Sequence, residues 1–139
     1  MFGKPKTEVR YRVQKSDAEW RRILSPAAYT VLRKHGTERP GTSPLNREKR
    51  AGLYQCAGCG WPLYASKDKY DSGTGWPSFT RPINGKAIGT SVDRSLLMVR
   101  TECHCAACGG HQGHIFPDGP PPTGQRHCIN GVALRFQPS

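Results

Sequence analysis

Cys56-Ala57-Gly58-Cys59-Gly60 recurs later in the chain, with one small residue changed, as Cys105-Ala106-Ala107-Cys108-Gly109. A backbone that brings two thiolates onto one ion must turn tightly. Small residues between the cysteines and a glycine after the second make that turn easy. Two such knuckles supply four thiolates, the closed tetrahedral set of a structural zinc site. The gap between them spans residues 60 to 104, so a single ion ties distant segments together. CxxC spacing also serves redox exchange, but a thioredoxin-like motif belongs to a βαβ context, and no such pattern is visible here. Disulfides would need an oxidising compartment. Cys56, Cys59, Cys105 and Cys108 are therefore expected to hold one structural Zn2+.

Around this staple the composition is that of a loop-rich domain. The 139 residues suffice for one domain, and only 35% are hydrophobic, with 16 Gly and 12 Pro. Such a chain favours short strands joined by many turns over a helical bundle. Strand-like runs are Leu53 to Cys56, Ile83 to Thr90, Leu96 to Glu102 and Val132 to Phe136. Ahead of them, Ser16-Asp17-Ala18-Glu19 has the form of a capping box and predicts a short helix through Leu24. Ser25-Pro26 starts a second helix, with Gly36 as its natural stop. Glu38 to Asn46 reads as an irregular connector. The expected organisation is a single mostly β, antiparallel domain over 1–139. It comprises a basic tail (1–14), helices and connector (15–51) and a zinc-stapled core (52–139).

The net charge is +11, with Lys and Arg dense from Lys4 to Arg50. That is either a solvated basic surface or an attraction to an acidic partner, nucleic acid or membrane. There is no apolar run long enough to span a bilayer and no apolar segment behind the basic N-terminus. A cytoplasmic monomer without membrane attachment is the expectation.

Two cysteines remain. Cys128 lies in Gly124-Gln125-Arg126-His127-Cys128-Ile129-Asn130. Cationic Arg126 and a proton on His127 would favour its thiolate, the attacking form; the alternative is a buried strand cysteine. Trp76, after Asp71-Ser72-Gly73-Thr74-Gly75, either caps the core or offers an apolar indole wall with one N–H donor. His111-Gln112-Gly113-His114 places two imidazoles three residues apart. In a strand they point to opposite faces; in a turn they converge. With four thiolates already completing a tetrahedron, acid–base work suits them better than zinc. Asp118 is positioned in sequence to orient an imidazole or Arg126.

Taken together, these blocks resemble the B-type methionine sulfoxide reductases, which act on the R epimer. The resemblance runs from about Gly52 to Phe136. It includes Tyr70 to Phe79, Arg100-Thr101-Glu102, His111 to Pro120 and Pro122 to Asn130. It implies two antiparallel sheets, zinc away from the reaction centre, and Cys128 as the catalytic cysteine. It further implies that Trp76, His111, His114 and Asn130 line the sulfoxide pocket, with Phe116, Asp118 and Arg126 contributing to substrate binding. The implied reaction has the Cys128 thiolate attack the sulfoxide sulfur while His114 or His111 protonates the oxygen. Methionine leaves, and a sulfenic acid remains on Cys128 for a thiol to reduce. The implied role is repair of oxidised proteins.

Many members of that family carry the recycling cysteine where this chain has Thr74. Cys103 is the alternative resolving thiol here, and direct reduction by thioredoxin, glutaredoxin or a small thiol is the preferred expectation. Two rival readings are a zinc-ribbon module binding nucleic acid through the basic charge and a non-enzymatic zinc-stapled relative that binds proteins. Neither accounts for Trp76, both histidines and Cys128 together.

Overall fold

A computed structural model describes residues 10–139; positions 1–9 of the expected basic tail lie outside the described residues. Two short helices open the chain. Helix α1 (Asp17–Ile23) begins at the capping box: the Glu19 amide donates to Ser16 Oγ, and the Ser16 amide donates back to the Glu19 carboxylate. Helix α2 (Pro26–Lys34) is capped by Ser25, with Pro26 in the first turn. It ends one residue earlier than expected. His35, not Gly36, takes the left-handed conformation, at φ 58° and ψ 31°.

Nine strands follow, all paired antiparallel. They are β1 (Gly52–Cys56), β2 (Pro62–Ala65), β3 (Lys69–Tyr70), β4 (Ser78–Phe79), β5 (Ile88–Asp93), β6 (Arg100–Cys105), β7 (His111–Phe116), β8 (Arg126–Ile129) and β9 (Leu134–Pro138). They form a three-stranded sheet in the order β2-β1-β9 and a six-stranded sheet in the order β3-β4-β8-β7-β6-β5. The core between elements holds Trp20, Leu32, Tyr54, Leu63, Tyr64, Phe79 and Ile129. Tyr64 and Phe79 stack with ring centroids 4.4 Å apart.

Three expected strands needed moving. The first begins at Ile88 rather than Ile83, because the Asn84-Gly85 turn intervenes. Leu96 and Leu97 are not strand residues: both have φ 57°, in a short 3-10 turn. The apolar run Leu96-Leu97-Met98-Val99 is exposed, and β6 starts only at Arg100. The last begins at Leu134, after a 3-10 turn over Gly131–Ala133. Strands β7 and β8, built largely from polar residues, lay outside the expected runs.

The register of the large sheet gives its two faces separate roles. One row of cross-strand neighbours reads Glu102, His114, Cys128, Ser78, Tyr70. The row beside it reads Cys103, Gly113, Ile129, and the row on the other side includes Ile115, His127 and Phe79. Side chains alternate faces along a strand, so the first row, with Cys128 and His114 and hence the candidate reactive face, is on one side and the rows flanking it, with buried Cys103, Ile129, His127 and Phe79, are on the core side.

Candidate active site and metal centre

The four knuckle cysteines converge. Cys56 Sγ lies 3.7 Å from Cys108 Sγ and Cys59 Sγ 3.6 Å from Cys105 Sγ, and all four sulfurs are within 4.8 Å of one another. A tetrahedron with Zn–S bonds of about 2.3 Å has edges of about 3.8 Å, so the cluster fits a zinc ion. The two knuckles share their internal bonding. The Gly60 amide donates to the Cys56 carbonyl as the Gly109 amide does to that of Cys105. The sulfurs are also approached by amides at different places: Gly58, inside the first knuckle, lies 3.4 Å from Cys56 Sγ, and Gly110, just beyond the second, lies 3.4 Å from Cys108 Sγ. Gly60 and Gly109 sit at φ 81° and 77°, where a side chain would be strained. Cys56 ends β1 of the small sheet and Cys105 ends β6 of the large one. The cluster therefore joins the two sheets.

A cavity of about 260 Å3 opens on the reactive face. It is lined by Thr37, Thr74, Trp76, Arg100, Gly113, His114, Phe116, Arg126, Cys128 and Asn130. A larger groove of about 750 Å3 is lined by residues of α2, the 37–45 connector and the 131–136 segment, but no cysteine or imidazole is among them. The smaller cavity brings Cys128 and His114 together, and its size suits a single side chain.

Cys128 is half-buried on β8, directly opposite His114 on β7. Burial is the largest influence on its thiol and pushes the pKa up; Arg126 and the Thr74 hydroxyl pull the other way. The expected help from His127 does not materialise. That ring is on the core side, bonded through Nδ1 to Tyr64 Oη at 2.9 Å, and burial pushes its pKa down to about 4. The ring is uncharged at neutral pH and faces away from Cys128.

His114 Nε2 lies 2.7 Å from Asp93 Oδ2. Burial lowers its pKa, and the Asp93 bond opposes that shift. Asp93 itself accepts from Ser95 and is 3.1 Å from Arg100 Nη2. Those contacts, Ser95 first, hold its carboxyl well below the ordinary range. His111 does not line the cavity. It is buried behind His114, ring centroids 5.4 Å apart, with Nδ1 2.8 Å from Glu102 Oε2. The two imidazoles share a face although both are strand residues. Cys103 pairs with Gly113 but the next residue, His104, pairs with His111. Gln112 is thus an extra, bulged residue, and the bulge turns His111 onto the reactive side.

Trp76 stands as a wall of the cavity, but its indole N–H is already donated to the Glu38 carbonyl at 3.1 Å. Only the apolar ring is free for a ligand. Asn130 is buried. It accepts from the Glu38 amide and donates to the Gln112 carbonyl, both at 2.9 Å, and its second amide hydrogen has no partner among the described residues. Arg126 is gripped by Asp118 through Nε at 2.8 Å and Nη2 at 3.2 Å and lies over the Phe116 ring. Asp118 thus acts on Arg126, not on an imidazole, and is not part of the cavity wall.

The connector from Glu38 proves to be the back of the site. The Glu38 carboxylate accepts from the Gly131 and Val132 amides at 2.7 and 2.9 Å. With its own amide on Asn130 and its carbonyl on Trp76, Glu38 ties three parts of the cavity together. Asp93, Glu102 and Glu38 carried no assigned role in the sequence, because each acts on a residue distant in the chain.

Cys103 is fully buried on the core face, two strands from Cys128. Two strand spacings are roughly 9–10 Å, beyond the ~7 Å between Cα atoms that a disulfide tolerates. The two thiols cannot bond without breaking the sheet.

A family model, the SelR domain, matches residues 24–138. A peptide methionine sulfoxide reductase MsrB of Agrobacterium fabrum is 54% identical over 127 residues, covering 91% of this chain and 94% of its own. A namesake from Pseudomonas putida is also 54% identical, covering 91% and 96%, and one from Leifsonia xyli is 52% identical, covering 92% and 93%. With its fold, clustered cysteines and match over most of its length, the chain belongs to the SelR-domain family.

Proposed function

We propose that this protein reduces the R epimer of methionine sulfoxide to methionine, free or within oxidised proteins, and so repairs them. The observation that carries this reading is the pairing of Cys128 with His114 across adjacent strands, both lining a cavity walled by Trp76. The Cys128 thiol is raised and the His114 imidazole lowered, so the resting pair is thiol and neutral ring. Sulfur attacks the sulfoxide sulfur as its proton passes by way of His114 to the sulfoxide oxygen. The new bond between the two sulfurs and the S–O bond of methionine then break as the hydroxyl passes to the Cys128 sulfur, which becomes a sulfenic acid while methionine leaves as the sulfide. Thiol and sulfoxide become sulfenic acid and sulfide, so no external proton is needed. Trp76 holds the methyl group against its ring and so selects the epimer. Arg126, fixed by Asp118 and Phe116, and the second Asn130 amide hydrogen orient the polar end. His111 supports His114 from behind.

The sulfenic acid is reduced by an external thiol, thioredoxin or a smaller one, because Cys103 faces the other side of the sheet. The four knuckle thiolates would hold one zinc ion and fill its coordination, which would give that ion a structural role apart from Cys128. The protein works as a monomer in the cytoplasm, where the six cysteines, none in a disulfide, stay reduced. Among the described residues no helix is long and apolar enough to cross a membrane, and a specific nucleic-acid partner is not part of the reading.

The test is turnover of the separated R and S epimers with dithiothreitol and with thioredoxin. Activity confined to the R epimer is expected; equal turnover of both, or none, ends the proposal. Asp93 is a positioning residue for His114. In Asp93→Asn, kcat should fall on the order of 10–100-fold, part of the roughly 10²–10⁴ that acid–base catalysis contributes, with KM little changed. Asp93 raises the His114 pKa, so its loss should also move the corresponding limb of the pH–rate profile to lower pH. An unmoved limb would leave Asp93 as scaffold only.

A further inference from the structure

A second histidine cluster lies beside the cavity and outside the four-thiolate site. A ring nitrogen of His35, a ring nitrogen of His111 and a carboxylate oxygen of Glu102 are all within 4.8 Å of one another. The left-handed backbone at His35 ends α2 there, and the His35 ring stands 5.1 Å from that of His111. An ion bonded tetrahedrally to two imidazole nitrogens at 2.0–2.1 Å sets the ring centroids about 5.2 Å apart. The two rings already have the spacing of a shared ligand pair.

The hydrogen bonding suits the same purpose. Nδ1 of His111 lies 2.8 Å from Glu102 Oε2, and the other ring nitrogen has no hydrogen-bond partner among the described residues. A carboxylate bonded to one ring nitrogen fixes the tautomer and makes the other a better ligand. Glu102 is held as the anion by hydrogen bonds from His104, His111 and Ser91, which outweigh the opposing effect of burial. It supplies negative charge beside the ion. His35 is exposed and its side chain makes no hydrogen bond among the described residues, so its ring can turn a nitrogen toward the ion without a change in spacing. A cavity lined by His35, Ser91, Asp93, Glu102, His111 and His114, among others, opens the cluster to solvent.

We infer that His35 and His111 bind one divalent transition ion of the zinc, nickel and cobalt class, oriented by Glu102, at a site separate from the four knuckle thiolates. Water completes its coordination. Binding ties up His111 next to His114 and inhibits the enzyme reversibly. The inhibition rests on the catalytic reading above; the binding does not.

The test uses the full chain with its thiolate site loaded with zinc. Ni2+ is titrated calorimetrically and Co2+ by absorption, for the native protein and for His35→Asn, whose side chain tolerates the left-handed backbone. The native protein should take one further ion, with cobalt d–d bands and no thiolate charge-transfer band. His35→Asn should bind it at least on the order of 10–100-fold more weakly, the loss that removing even a supporting group causes. Turnover of the native protein should fall in step with occupancy. That of His35→Asn should start at the same level and resist the metal. Absence of a further equivalent, thiolate bands, or undiminished affinity in His35→Asn overturns the site. Occupancy through His35 with full turnover overturns the inhibitory role alone. A protein without any sulfoxide turnover refutes the catalytic reading and leaves the binding measurement standing.

Discussion

Cys128→Ser is expected to lower the turnover of R-sulfoxide by at least about 10⁴-fold, the scale on which losing a covalent nucleophile acts. The serine hydroxyl ionises far less readily than a thiol. It also cannot carry oxygen as a sulfenic acid, so both the attack and the intermediate are lost. The fold should survive. Cys128 is half-buried on the reactive face, and exchanging sulfur for oxygen there leaves the β4-β8-β7 pairing in place. A thermal midpoint near the native value, together with loss of the single-turnover methionine product, is the expected pair of results. Retained turnover in this variant would remove Cys128 from the mechanism, and with it the row of residues assigned around it.

The second large effect concerns the knuckles. In Cys56→Ser the bound zinc should be lost and the cooperative thermal transition abolished or moved to far lower temperature. Structural zinc contributes about 10–16 kcal/mol of apparent binding free energy in zinc-finger peptides. The whole stability of a typical domain is only about 5–15 kcal/mol. The cluster joins the end of β1 to the end of β6, hence one sheet to the other. Its loss therefore frees the relative placement of the sheets, which the chain's modest apolar content must then hold alone. Circular dichroism with metal analysis checks this. Zinc added back to chelator-treated native protein should restore the fold, and should not rescue Cys56→Ser. A native-like transition in the metal-free variant would show that the thiolate cluster is dispensable.

How much of this was legible in the sequence depended on whether the information was local. The capping box at Ser16, the Ser25-Pro26 start and both CxxC turns depend on residues within a few positions, and each stands as read. Strands β7 and β8 were not legible as strands. Their reactive face carries His, Cys and Arg, so alternation of polar and apolar residues gave no clean signal. The apolar run at Leu96 to Val99 misled for the opposite reason: apolar composition there belongs to an exposed turn. The convergence of His111 and His114 depended on a single bulged residue, Gln112, which sets the register and not the composition. Asp93 meets His114 only because β5, β6 and β7 fold back on one another. Likewise Glu38 becomes the back of the cavity only when the connector is laid against the Asn130 turn.

The alternation along β7 and β8 has a consequence for how this domain can vary. Reactive and structural residues are interleaved one by one: Cys128 lies between His127 and Ile129, and His114 between Gly113 and Ile115. Substitutions in these strands can change substrate range or stability almost independently, according to the parity of the position. Insertions and deletions cannot, because shifting either strand by one residue exchanges the two sets. Divergence of this domain is therefore free in the alphabet at each position and closed in the length of these two strands, and new specificities must arise by replacement within a fixed frame.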